Sequence, residues 1–152
     1  MNATLAAVDI ARLEKLQGEV LDLCLRLEEA ATEPGSAEDL VELAEAILPL
    51  LTVVHDLEER LLFPDFDHHA GSHFAAVTIE RLKAEHRCDR LQAEELSRTM
   101  KAIADGRSRL SPETVWHMLG GFQEGLRRHV FFEKMVLESL LAAKSEARVI
   151  FG

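Results

Sequence analysis

Three segments of the chain place histidine and carboxylate side chains where an amphipathic helix should be apolar. In residues 112–143 the apolar steps run Val115, Leu119, Phe122, Leu126. They then meet His129 and Glu133 before Val136 and Leu140 resume the stripe. Residues 37–63 repeat the pattern as Leu48, Leu51, His55, Glu59, Leu62. Residues 73–104 read Ile79, Leu82, His86, Asp89, Ala93, Leu96, Met100. An unpaired buried carboxylate costs several kcal/mol, so such groups persist only when paired or metal-bound. A His and a Glu four residues apart share one helix face, one turn apart. Two facing pairs of this kind offer nitrogen and oxygen ligands that suit iron, manganese or zinc. A lone histidine on an apolar stripe is more often a satisfied core residue, and a single His-x-x-x-Glu pair is common on solvated faces. The conjunction of two in-phase pairs with a third in-phase histidine points instead to a metal centre.

The elements that must carry these residues are marked by breaks. Pro34-Gly35-Ser36 ends the first segment, with Ser36 and Asp39 in capping-box-like positions for the next helix. A second break is expected over Pro64–Ser72. A third covers Asp105–Leu110, followed by Ser111-Pro112-Glu113: a capping serine, a proline at the first helical position and an acid at the positive dipole end. The spacing predicts helices over about 4–32, 37–63, 73–104 and 112–143. Leu13, Leu16, Val20, Leu23 with Cys24, and Leu27 form the stripe of the first. Pro49 should kink the second, and the tail from Lys144 should fray. Short connections between long helices favour an all-α, up-and-down antiparallel four-helix bundle, as one domain over residues 1–152. His86 lies 19 residues before Asp105 and His129 lies 18 after Ser111, which puts them at one height across an antiparallel pair.

Composition narrows the function further. The 152 residues carry a net charge of −10 and are 47% hydrophobic and 29% charged, a globular balance that gives no basic footprint for nucleic acid or an anionic membrane. No signal-type segment and no apolar run long enough to span a bilayer is evident, so a soluble protein of the reducing cytoplasm is expected. Two cysteines make no disulfide scaffold: Cys24 reads as a core residue, and Cys88 points to another face. His68, His69 and His73 cluster at the turn after residue 63; His73 is 13 residues, about 20 Å, from His86, so these read as surface histidines. His117 falls off its stripe, and Trp116 is expected at a helix contact. Phosphate loops, the Gly-x-Ser-x-Gly elbow, the zinc-protease pattern, the ferritin-type Glu-x-x-His pair and the c-type haem motif are all missing.

The segments His55–Pro64 (HDLEERLLFP), Glu85-His86 and His129–Glu133 (HVFFE) resemble the hemerythrin-like HHE cation-binding family. The resemblance covers nearly the whole chain in the same helix order. It implies a non-haem iron centre, usually of two irons, inside a four-helix bundle. Glu59 and Glu133 would bridge, and His55, His86 and His129 would be terminal ligands. Asp56 is a weaker candidate, with a solvated surface role as its alternative. The family usually supplies a histidine from the first helix, and none stands there in this chain. Gln17 occupies that stripe position, as a neutral oxygen ligand or, more readily, a core amide bonded to a polar neighbour. Asp89 stands where an apolar residue is usual, and could replace the missing ligand, hold a ligand histidine or pair elsewhere.

The expected function is binding or sensing of oxygen or a related small oxidant at iron, more a binding module than a turnover enzyme, with no catalytic residue assigned. One metal, or another transition metal, is an alternative occupancy. Iron handling, nitrosative-stress repair, an oxidase or peroxidase role, and a regulatory or structural bundle that has lost its metal are the other readings. The last would bind a protein partner, and a homodimer is left open.

Overall fold

A computed structural model describes residues 5–71 and 73–151, with side chains described through Ser145. Helix α1 spans Ala7–Thr32, α2 Ala37–Leu57, α3 Phe63–Ala70, α4 His73–Ala104 and α5 Pro112–Phe151. A π-helical turn, Glu58–Leu62, joins α2 to α3 without a break. The result is an all-α bundle of four rods, with no strand among the described residues. Helix α1 packs against α2 and α5, α2 packs against α4, and the α4–α5 seam is the most sparsely packed side.

The caps follow the sequence. Ser36 Oγ accepts from the Asp39 N–H at 3.1 Å, while Asp39 Oδ2 accepts from the Ser36 N–H at 3.3 Å. Ser111 Oγ likewise accepts from the Thr114 N–H at 3.1 Å. Both satisfy N–H groups that a helix start leaves without partners. Helix α1 starts at Ala7, later than expected, where Asp9 Oδ2 accepts from the Ala6 N–H.

Three expectations need correction. The break does not start at Pro64, because the helix runs on to Ala70. The Phe63 N–H bonds back five residues, to the Glu58 carbonyl, as a π turn requires. Pro64 follows directly, so its missing N–H falls where the ladder returns to α spacing, in the first turn of α3. The chain turns only at Gly71, whose φ of +53° suits a residue without Cβ. The tail from Lys144 does not fray at once, since α5 continues to Phe151. Trp116 is also misplaced by the sequence reading: it is 49% exposed, and among the described aromatic rings it meets only the His117 ring edge. His117 and Cys88 are exposed and Cys24 is fully buried, as expected.

The core falls into two apolar blocks. One gathers Val20, Leu27, Ile47, Leu51, Met100 and Leu119 with their neighbours; the other gathers Leu13, Leu62, Phe63, Leu82, Leu137 and Leu140. Between them every rod contributes buried polar groups: Gln17 from α1, His55 and Glu58 from α2 and its π turn, His86 and Asp89 from α4, and Glu133 from α5. Two dry blocks therefore clamp one polar layer.

Candidate metal centre

Glu58, His86 and Glu133 meet at the heart of this layer. Each offers one ligand atom within 4.8 Å of the others, and all three are buried. His86 Nε2 lies 2.5 Å from Glu133 Oε1 and 3.7 Å from Glu58 Oε1. The second distance is too long for a hydrogen bond. Glu58 Oε1 is therefore left without a partner, although its residue is fully buried. Gln17 Nε2 donates to the other oxygen, Glu58 Oε2, at 3.5 Å, while Gln17 Oε1 is also buried and unpartnered.

Outer groups fix these inner ones. His86 Nδ1 lies 3.2 Å from Glu59 Oε2. A carboxylate there holds the proton on Nδ1 and aims the Nε2 lone pair at Glu58 and Glu133, the usual way of orienting a metal-binding imidazole. The His55 ring stacks on His86, with centroids 3.7 Å apart and planes 6° from parallel. Phe63 lies near His86 too, at 5.5 Å. His55 Nδ1 receives a hydrogen bond from Arg90 Nη1 at 3.0 Å. On the α4–α5 side, His129 Nδ1 pairs with Asp89 Oδ2 at 2.7 Å, and Nε2 faces Glu85 at 3.6 Å. His129 also lines an apolar groove of about 420 Å³ with Phe74, Leu82 and Phe132.

The electrostatics are those of crowded acids in a dry place. Burial raises the Glu58 carboxyl well above its ordinary value, and neighbouring Glu133 adds to this. Burial likewise takes Glu133 from near 4.5 up to about 7. Desolvation drives His55 down to about 2, helped by the charges of His86 and Arg90. His129 goes the other way, raised chiefly by its hydrogen bond to Asp89.

The structure brings Glu133 and His86 into one group and stacks His55 against it. It sets Glu59 behind His86, with its side chain 29% exposed. Asp56 points outward, 58% exposed, in an i,i+4 pair with Arg60. Asp89 and His129 pair with each other rather than facing the inner carboxylates through hydrogen bonds. The sequence reading missed Glu58. The run Ile47–Leu57 is apolar at so many positions that two helical phases fit it. Leu48, Leu51, His55, Glu59, Leu62 is one; Ile47, Leu51, Val54, Glu58, Leu62 is the one buried here. The wider π turn rotates each residue less than an α step does, which brings Leu62 back into line with Glu58.

The donor set fits a cation. Two carboxylates and one imidazole converge, one oxygen of Glu58 is orphaned, and the Gln17 amide donates to the other. Such a mixture suits iron, manganese or zinc rather than a soft metal. The family model for the hemerythrin HHE cation-binding domain matches residues 8–141. Comparisons with curated proteins and with solved structures find no match.

Proposed function

The chain belongs to the hemerythrin HHE cation-binding family, and we propose that it is a non-haem iron protein that binds or senses oxygen or a related small oxidant. The observation that carries this reading is the unpartnered Glu58 Oε1, buried between His86 and Glu133. Without a cation, two carboxylates in a water-poor layer can stay only by keeping protons. With one, both gain a partner, and the cost of burying them is offset.

Glu58, His86 and Glu133 are the proposed ligands, with the Gln17 amide donating to Glu58 beside them. Glu59 holds the His86 tautomer. Bound iron would supply the redox chemistry toward the oxidant. The flanking apolar blocks exclude water and keep the ligands rigid. The groove beside His129 brings apolar surface to the edge of the polar layer, where His129 pairs with Asp89. Among the described residues no helix is long and apolar enough to cross a membrane, and two unpaired cysteines suit a reducing cytoplasm.

Elemental analysis of protein purified without an affinity tag, together with its visible spectrum, tests this. Stoichiometric iron whose spectrum changes on reduction and on return of oxygen supports the reading. Absence of metal after anaerobic reconstitution with ferrous iron overturns it and leaves a partner-binding bundle.

A further inference from the structure

Beside the inner group stands a second set of donors, His55 and Glu59, and both already face one cation. Arg90 Nη1 donates to His55 Nδ1 at 3.0 Å and lies 3.8 Å from Glu59 Oε2. The same Glu59 oxygen accepts from His86 Nδ1 at 3.2 Å. We propose that the Arg90 guanidinium stands in the place of a second metal ion, so that the centre takes one ion per chain, held by Glu58, His86 and Glu133. This rests on the metal reading above and sets its stoichiometry.

Lone pairs give the first argument. A guanidinium has donors only and stays charged at any working pH. His55 must therefore accept at Nδ1, and its single ring proton sits on Nε2. In that state His55 has no free lone pair for a metal. Glu59 is likewise committed, between His86 and Arg90.

Charge gives the second. Glu58, Glu59 and Glu133 bring three negative charges to the inner group and its Arg90 side. One divalent ion and one guanidinium balance them. Two divalent ions beside Arg90 would leave an excess of two positive charges in a layer where like charges repel strongly. Asp89 and Glu85 also act on Glu133, but Asp89 faces His129 and Glu85 faces both His129 and Arg81, which offsets much of their charge.

The third argument comes from α1. A second ion needs more ligands, and the residue that α1 turns into the layer is Gln17. Its amide donates to Glu58 instead of offering an imidazole. Arg90 arises from α4, one turn beyond His86 on the same face, so one helix delivers both a ligand for the ion and the cation that takes the neighbouring position.

The test is a count. Wild-type protein and Arg90→Gln are loaded anaerobically with excess ferrous iron, washed with a weak chelator and analysed for iron per chain. Arg90→Lys is included because it keeps the charge. Wild type and Arg90→Lys should hold one iron, and Arg90→Gln should hold two. Should Arg90→Gln fail to fold, the wild-type protein decides alone: after oxidation, the EPR signal of isolated high-spin ferric ions should account for all its iron. Two irons in the wild type, or iron that is EPR-silent through spin coupling, overturns the proposal and leaves the metal reading standing. One iron in both wild type and folded Arg90→Gln removes Arg90 from the account. No iron in any of them overturns the metal reading itself.

Discussion

At the scale of single residues, the layer is built from groups whose cost in the metal-free protein is measurable. Glu133 titrates near 7 in the fold against about 4.5 in an unfolded chain. For a raised carboxyl the unfolded state loses its proton first as pH rises. The fold therefore keeps its full stability below about pH 4.5 and loses this contribution as pH climbs through 7. A shift of this size corresponds to about 3 kcal/mol by pH 8. Glu133→Gln should thus stabilise the metal-free protein at pH 8 and do little at pH 4.5, while abolishing any rise in Tm on adding metal. Thermal melts in chelator at the two pH values check this; equal effects at both would contradict the buried-acid account. Glu59 makes a different prediction, because it touches His86 rather than the inner carboxylates. Glu59→Gln should weaken metal binding by about 10–100-fold, the range found for partners of ligating histidines, without removing it. Competition against a chromophoric chelator measures that shift, and Glu58→Gln in parallel should lose far more.

At the scale of elements, the caps and the π turn decide which side chains reach the layer. Ser111 receives the Thr114 N–H, so Ser111→Ala should cost about 1 kcal/mol. That corresponds to a Tm drop of roughly 2–4 °C in a chain of this size. The metal count should not change, because the cap lies at the far end of α5 from Glu133. These caps were legible from short local patterns, and so were the four rods and their antiparallel order, although the expected match of His86 with His129 is off by a turn: His86 meets Glu133, and His129 meets Asp89. The in-phase polarity of Gln17, His86, Asp89 and Glu133 was legible too, since each interrupts an apolar stripe. What the sequence did not reveal depends on longer-range choices. The phase of α2 was ambiguous because Ile47–Leu57 offers apolar residues on both candidate faces. The π turn that begins at Glu58 leads into Leu62 and Phe63, which pack in the second apolar block, and no residue type announces it. Pro64 suggested a stop, yet it is tolerated because the ladder changes register beside it. Arg90 carried no signal of its own, since a lone arginine next to an inward Asp89 reads as solvated surface.

At the scale of the whole molecule, one buried acid ties three parts of the chain together below the polar layer. Asp65 in α3 has a side chain only 1% exposed. Its Oδ2 accepts from the Leu5 N–H at 3.0 Å and from Lys144 Nζ, and its Oδ1 faces His69 Nδ1 at 2.9 Å. The approach to α1, the end of α3 and the last described turns of α5 are joined through a single carboxylate. Burial alone would raise the Asp65 carboxyl, but Lys144, the Leu5 N–H and His69 outweigh it and hold it below the usual range. For a depressed carboxyl the sign is the reverse of that for Glu133. Its stability is fully present above the unfolded value near 3.9 and is lost as pH falls through the lower folded value. Asp65→Asn keeps the shape and an acceptor for Leu5 but removes the charge facing Lys144. It should cost about 2–3 kcal/mol at pH 7, or roughly 5–10 °C in Tm. The difference from wild type should shrink as pH drops toward 3. Hydrogen exchange should show where the loss falls: amides around Leu5 and in α5 near Lys144 should exchange faster, while those flanking Glu58 and Glu133 stay protected. Loss of protection throughout the bundle would instead mean that this junction and the metal layer unfold as one cooperative unit. Metal affinity would then fall in Asp65→Asn, although none of the proposed ligands had been touched.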